Sequence, residues 1–390
     1  MIDFTFHNPA KIIFGKTALS HLGEEVAACG SRVLLVYGGG SVKRIGLYDA
    51  VTDILHHIGA SVWELGGVQP NPRMGLVYKG VELCRQNDVQ LVLAIGGGSA
   101  IDTGKAIANG VCYDGDAWDL FCGKATSHGA LPIGTIVTLP ATGSEMSDSA
   151  VLTREEDQCK RGLNTFYNIP RFSLLNPEYT FSLPPYQTAC GAVVIRAHIM
   201  ERYFTRTEHV ELIDRMAEGA MVTVRNNAPI ALRQPTNYDA RAEIMWASCL
   251  AHNTLFQTGR VTDWASHKLE HELSALYDVA HGAGLAIVFP AWMKYMLSHG
   301  GATKLAQFAT RVMDVPEGLG DEVATAQEGV ARLEAFYRSL GLVTTLHEAG
   351  IGDADFDRMA TRCTQMMGGT IGKYLPLDKA AALEIYELAK

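Results

Sequence analysis

Short apolar runs alternate with helical stretches between about residues 30 and 140, and this alternation restricts the possible folds more than any other feature. The runs at 32–37, 89–95 and 131–138 are rich in Val, Ile and Leu, and each ends in or is followed by glycine, serine or threonine. Strands of this kind lie in parallel sheets that helices cover on both faces. We therefore predict an N-terminal α/β domain built on a parallel sheet.

After about residue 180 the pattern changes to long segments with a period of 3.6 residues, which is typical of helices packed against a core. These segments lie at 186–206, 209–226, 238–257, 261–276 and 321–340. The second half is therefore predicted to be an all-α domain. The boundary is expected near Leu174-Leu175-Asn176-Pro177, which gives an α/β domain over 1–178 and an all-helical catalytic domain over 179–390.

Charge and cysteine usage exclude several classes of protein. The 33 Lys and Arg against 42 Asp and Glu give a net charge of −9 with no basic run, so no nucleic-acid partner is expected. The N-terminus does not resemble a signal peptide, and no apolar stretch approaches the roughly 20 residues that span a membrane. Eight cysteines without a CxxC pair indicate free thiols in a reducing cytoplasm.

Three turns rich in glycine or threonine follow predicted strands. Glycine lets the backbone approach a pyrophosphate, and a helix N-terminus offers unpaired N–H groups to it. In the second turn, Ser99 and Asp102 are also predicted to form a capping box. Three such turns predict a dinucleotide site, although the pattern differs from GxGxxG. The candidate cofactor residues in these turns are Gly38, Gly39, Ser41, Gly97, Gly98, Ser99, Asp102, Thr138 and Thr142.

The first turn also bears on the choice of coenzyme. An acidic residue near this position would bond the ribose 2′-hydroxyl and repel a 2′-phosphate. Here Lys43 and Arg44 follow Ser41 closely, and the sequence shows no carboxylate opposite them. We therefore expect NADP(H) to be preferred over NAD(H).

Histidines in two helical stretches are candidate metal ligands. His267 and His271 are four residues apart on one helical face. His281 comes ten residues later and is followed by two nearby glycines. His198 lies in an earlier helical stretch. Three imidazoles that converge would form a divalent metal site, and the alternative is that these histidines are hydrogen-bonded core residues.

Long motifs along the whole chain resemble the iron-containing (group III) alcohol dehydrogenases, especially their NADPH-dependent aldehyde reductase and butanol dehydrogenase branch. The motifs are FTFHNPAKIIFGK, Pro70-Asn71-Pro72, GGGSAID, TLPATGSEMS, SLLNPEYTFSLPP and DWASHKLEHELSALYDVAHGAGLAIVFP. The resemblance implies a two-domain fold with the cofactor in the cleft between the domains and a divalent metal under the nicotinamide. It also implies a short- to medium-chain aldehyde or alcohol as substrate and a homodimer.

The resemblance further implies one Asp and three His as metal ligands, and the His positions correspond to His198, His267 and His281. The family pattern GxxDxxxHxxE is matched at its Gly, His and Glu, but Val194 stands where Asp belongs. Because Val cannot coordinate a metal, we expect metal binding to be weakened or lost. Three neutral imidazoles with an open fourth position suit zinc better than iron.

Other roles also follow from the resemblance. His267 and His271 match catalytic positions, with His271 as a candidate proton relay, and Asn71 and Lys160 match cofactor positions. Two alternatives stay open. One is another enzyme on the same scaffold, such as a polyol dehydrogenase or a sugar-phosphate cyclase. The other is a nucleotide-binding protein that has lost its metal and most of its activity.

Overall fold

The computed structural model describes residues 1–390. Backbone packing divides the chain into two compact units. The α/β unit comprises His7–Leu183 and Pro235–Asn253, and the helical unit comprises Met1–Phe6, Pro184–Gln234 and Thr254–Lys390. The domain limits 1–178 and 179–390 stay a prediction.

Eight strands occur, all in the α/β unit. They are β1 (Lys11–Phe14), β2 (Arg32–Tyr37), β3 (Ser61–Leu65), β4 (Leu91–Gly96), β5 (Ile133–Val137), β6 (Ser149–Arg154), β7 (Cys159–Asn164) and β8 (Phe172–Leu175). Six of them form one sheet in the order β1-β8-β5-β4-β2-β3, and all its neighbouring pairs are parallel. The strands β6 and β7 form a separate antiparallel pair.

Fifteen α-helices follow the same chain order. They are α1 (Leu22–Ala27), α2 (Ser41–Arg44), α3 (Leu47–His57), α4 (Met74–Gln86), α5 (Gly98–Val111), α6 (Ala117–Phe121), α7 (Pro185–Tyr203), α8 (Glu211–Arg233), α9 (Tyr238–His252), α10 (Ala265–Tyr277), α11 (His281–Ser298), α12 (Ala302–Val312), α13 (Glu322–Ser339), α14 (Phe356–Gln365) and α15 (Lys379–Leu388). Short 3₁₀ turns lie at Ala18–His21, Phe166–Asn168, Pro177–Thr180 and Leu255–Gln257. Helix α9 packs with the α/β unit. None of the helices combines the length and the hydropathy needed to cross a bilayer.

The core of the α/β unit lies around the central strands. Strands β4 and β5 are buried at every residue, and β2 is buried at all but its first. Helix α5 connects β4 towards β5 and is buried along most of its length. Strands shielded on both faces need apolar side chains in both directions, which explains the uninterrupted apolar runs. The predicted fold class, a parallel α/β N-terminal part and a helical C-terminal part, is confirmed.

Candidate active site

Three histidines of the helical unit bring their rings together. His198 lies on α7, His267 on α10, and His281 is the first residue of α11. Ligand nitrogens of the three lie within 4.8 Å of one another. The ring centroid of His267 is 4.9 Å from that of His198 and 5.2 Å from that of His281. Imidazole nitrogens gathered in this way can be shared by a divalent transition metal.

A buried carboxylate orients one of these rings. Oε1 of Glu201 on α7 accepts hydrogen bonds from the backbone N–H of His267 (3.0 Å) and from its Nδ1 (2.8 Å). Nε2 of His267 is also buried and has no hydrogen-bond partner. A buried ring nitrogen of this kind needs a ligand, so the donor set fits a bound metal ion.

The protonation states at this pair suit metal binding. Burial lowers the pKa of His267 well below its usual range, so the ring is neutral and Nε2 offers a lone pair. Burial raises the pKa of Glu201 to about 7, and the backbone N–H groups of His267 and Trp264 oppose this rise. When Nδ1 of His267 donates its proton to Oε1 of Glu201, Nε2 is the ring nitrogen that can bind a metal.

A second carboxylate, which sequence analysis missed, contacts His281. Glu270 on α10 is fully buried, and Nδ1 of His281 donates a short hydrogen bond to its Oε2. Glu270 lies in the segment HKLEH, but nothing in that pattern identifies His281 as its partner. Two of the three rings therefore have a carboxylate at Nδ1, as metal-binding histidines commonly do.

Val194 lies on α7 one turn before His198 and is buried. Residues four apart share a helix face, so its side chain projects from the same side of α7 as that of His198. The group of His198, His267 and His281 contains no carboxylate. The structure thus shows a three-imidazole donor set with an aliphatic residue at the fourth position.

His271 lies beside the three imidazoles and is only half-buried. Its ring centroid is 6.5 Å from that of His267 and 5.7 Å from that of His281. It forms a second group of ligand atoms with Glu270 and His281, again within 4.8 Å. The set suggested by spacing alone, His267 with His271 and His281, is therefore divided between two overlapping groups.

The α/β unit brings the three predicted turns side by side. They follow β2, β4 and β5, which are adjacent in the sheet. Because parallel strands end at the same edge, residues 38–41, 97–99 and 138–142 line one edge of the sheet. A Cβ on Gly98 would lie 2.4 Å from Oγ1 of Thr142, so the second and third turns are in contact. This edge is where open α/β sheets bind ligands.

The predicted capping box is wrong. Helix α5 begins at Gly98 with Gly97 as N-cap and has no side-chain cap, so Ser99 lies inside the first turn. Asp102 is buried and accepts hydrogen bonds from Oγ of Ser144 (2.6 Å) and from the backbone N–H of Val151 (2.9 Å). The carboxylate therefore holds the segment after β5 instead of capping α5.

The other two predicted cofactor residues, Asn71 and Lys160, are hydrogen-bonded to each other. Nζ of Lys160 on β7 donates a hydrogen bond of 3.1 Å to Oδ1 of Asn71, which has a left-handed φ of 50°. Both side chains are buried. The resemblance implied each residue separately, and the structure adds that they form one polar contact.

A carboxylate from the neighbouring strand β3 lies near the first turn. Glu64 on β3 accepts hydrogen bonds from the hydroxyls of Tyr37 (2.7 Å) and Tyr48 (2.6 Å), and these bonds lower its pKa. Nζ of Lys43 lies 5.2 Å and 4.3 Å from the centroids of the same two rings. The Glu64 carboxylate therefore interacts electrostatically with Lys43, and the coenzyme preference stays a prediction. A guanidinium nitrogen of Arg44 folds over the turn, 3.2 Å from a Cβ built on Gly40.

Comparison with known proteins identifies the family. The model of the iron-containing alcohol dehydrogenases matches residues 9–177, and that of the C-terminal region of the same family matches 188–389. The chain is 43% identical over 387 residues to NADH-dependent butanol dehydrogenase A of Clostridium acetobutylicum, with 99% of both chains covered. It is 37% identical over 393 residues to the NADPH-dependent aldehyde reductase YqhD of Escherichia coli, with both chains covered fully.

A solved structure shows the same fold. The crystal structure of NADH-dependent butanol dehydrogenase A from Thermotoga maritima superimposes with a TM-score of 0.95 at 39% identity, which covers 100% of this chain and 99% of that one. Sequence and structure therefore agree over the whole length, as the resemblance implied. The chain belongs to the iron-containing alcohol dehydrogenase family.

Proposed function

We propose that this protein reduces short- to medium-chain aldehydes, or oxidises the corresponding alcohols, with NADP(H) and a divalent metal ion. The observation that carries the proposal is the group of His198, His267 and His281, in which buried Nε2 of His267 has no partner. Membership of the family makes the chain an alcohol dehydrogenase or aldehyde reductase and does not favour an inactive nucleotide-binding protein. Relatives named butanol dehydrogenase and aldehyde reductase support a small substrate.

The chain's own residues would bind the metal, orient its ligands and transfer a proton. When bound, the metal supplies Lewis-acid polarisation of the substrate oxygen, and the nicotinamide supplies or accepts the hydride. His198, His267 and His281 would hold the metal, and Glu201 keeps the His267 ring in position. His271, beside these rings and half-buried, would give the substrate oxygen its proton in the reducing direction.

The donor set favours zinc over iron as the bound metal. Three neutral imidazoles with an open position suit zinc, whereas ferrous iron readily takes further ligands. We expect Val194 to weaken binding of either ion. Metal content after dialysis, compared in the natural chain and in Val194→Asp, tests this, and equal stoichiometric content in both would contradict it.

The coenzyme preference rests on the cations of the first turn. Arg44 folds over Gly40, and Lys43 lies near the Glu64 carboxylate and offsets its charge. A 2′-phosphate would therefore meet donors and a carboxylate already engaged by two tyrosines. The relatives include NADH-dependent and NADPH-dependent enzymes. Calorimetric titration with NADP⁺ and NAD⁺ tests the preference. Arg44→Gln should weaken the binding of NADP⁺ but not of NAD⁺. Lys79→Gln, which changes an exposed lysine elsewhere, should leave both affinities unchanged.

The function itself is tested by a panel of linear aldehydes with NADPH and NADH, each with and without added zinc or ferrous iron. We expect coenzyme oxidation that increases with added metal. His267→Ala should abolish it, whereas His347→Ala, which removes an exposed histidine, should not. Coenzyme binding without turnover of any aldehyde under any metal condition would refute the proposal.

We also propose a homodimer that works in the cytoplasm. The resemblance to the family supports the dimer, and the eight unpaired cysteines support a reducing compartment. Sedimentation equilibrium distinguishes one copy of this 42.3 kDa chain from two.

A further inference from the structure

The side chain of Glu270 packs against a position of α11 that has no side chain. Its side chain is fully buried, and a Cβ added to Gly284 on α11 would lie 2.7 Å from Cγ and Oε1 of Glu270. Only a residue without a side chain fits at that point of α11. The close approach of α10 and α11 around this carboxylate therefore depends on the absence of a side chain at Gly284.

The hydrogen bonds of Glu270 direct its charge towards His281. Oε2 accepts from Nδ1 of His281, and the hydroxyl of Ser274 donates to Oε1. A carboxylate at Nδ1 fixes the proton there, leaves Nε2 as the ligand atom and raises its basicity. Glu270 therefore acts on the same ring that belongs to the three-imidazole group.

The three-imidazole group lacks negative charge. His198, His267 and His281 are neutral ligands, and Val194 adds no carboxylate. A +2 ion among them would keep its full charge in a buried setting, which is unfavourable without a nearby anion. In a low-dielectric interior, a buried carboxylate one ring away still stabilises such an ion.

We propose that Glu270 replaces the electrostatic part of the missing carboxylate ligand by acting on the metal through His281. This inference rests on the proposed metal-dependent function. Glu270 is thus a positioning and charge-compensating residue and does not itself coordinate the ion. Its effect should be large because position 194 is Val, and it should shrink when a carboxylate is restored there.

Zinc affinity of the metal-free protein, measured by competition with a chromophoric chelator, tests this in four chains: the natural chain, Glu270→Gln, Val194→Asp and the double variant. Glu270→Gln should weaken zinc binding by about 10- to 100-fold, as expected when the carboxylate partner of a ligand histidine is lost. In the Val194→Asp background the same change should cost only a few-fold. An equal loss of zinc affinity in both backgrounds would show that Glu270 only orients the His281 ring. An unchanged affinity in both would show that Glu270 has no part in zinc binding. Either result overturns the inference.

The matched control is Glu272→Gln. Glu272 is a buried carboxylate on the same helix, pairs with Arg362 at 3.0 Å, and belongs to neither histidine group. Its loss should leave the zinc affinity unchanged even if the melting temperature falls, and an equal loss of affinity in Glu272→Gln would overturn the inference. If the natural chain binds no zinc and turns over no aldehyde, the proposed function fails. If it binds zinc and Glu270→Gln binds it equally well, only this inference fails.

Discussion

The contact between the second and third turns of the sheet edge can be tested with Gly98→Ala. The new Cβ would lie 2.4 Å from Oγ1, 2.5 Å from Cγ2 and 3.0 Å from Cβ of Thr142. The Thr142 side chain is restrained because Oγ1 accepts a hydrogen bond from the backbone N–H of Ser144 (3.2 Å). The backbone carbonyl oxygen of Thr142 is 2.9 Å from Nδ1 of His252, and this contact restrains the backbone as well. The clash must therefore be relieved largely by movement of the turn.

Overpacking of this kind costs about 1–3 kcal/mol. For a unit of roughly 200 residues, each kcal/mol lowers the melting temperature by about 2–4 °C, so a fall of several degrees is expected. Calorimetry of the coenzyme-free protein measures it. The matched control is Gly39→Ala in the first turn, where an added Cβ meets nothing within 4 Å and φ is not positive. Its melting temperature should stay within about 1–2 °C of the natural chain.

A second substitution identifies the cause. Thr142→Ala removes Oγ1 and Cγ2 but keeps the Cβ at 3.0 Å, so it should relieve most of the clash. The cost of Gly98→Ala should therefore be smaller in the Thr142→Ala background, with a coupling of about 0.5–3 kcal/mol. If Gly98→Ala melts like the natural chain, or costs the same in both backgrounds, the close packing of the two turns is refuted. If this edge binds the coenzyme as proposed, calorimetric titration with NADP⁺ should show weaker binding by Gly98→Ala, because the clash displaces the turn.

Three other predictions concern stability. Burial is the main reason why the pKa of Lys105 falls to about 8 from an ordinary 10.5, so between these values the unfolded chain holds the extra proton. Stability relative to Lys105→Met should therefore rise with pH in that window, by at most about 1.4 kcal/mol per pH unit, and a flat difference in melting temperature would contradict it. Gly219→Ala on α8 meets nothing within 4 Å and should stabilise the chain by about 1 kcal/mol in denaturant unfolding, whereas destabilisation would be inconsistent with an unstrained helix. Arg260→Leu breaks the buried contact of 2.9 Å with Asp214 and should destabilise by about 3 kcal/mol or more, so an unchanged melting temperature would show that the pair contributes little.

The central strands could be predicted from the sequence, whereas the hairpin of β6 and β7 could not. Strands β2, β4 and β5 lie in the middle of the sheet, and shielding on both faces makes their sequences apolar throughout. Strand β7 (Cys159–Asn164) reads CKRGLN, in which polar residues hide the strand pattern. Its partner is set by pairing with β6, and an isolated pattern does not contain that information.

The histidines of the candidate site were predictable in a way that the carboxylate of Glu270 was not. His198, His267 and His281 belong to a set of only 13 histidines, and long motifs distinguish them. Glu270 is one of 42 acidic residues, and its position three residues after His267 predicts a neighbour on α10. Its partner is instead His281 on the next helix, and the approach of that helix depends on the absence of a side chain at Gly284. Periodicity orders residues within one helix, so a carboxylate whose role depends on contact between two helices can be identified only once their packing is known.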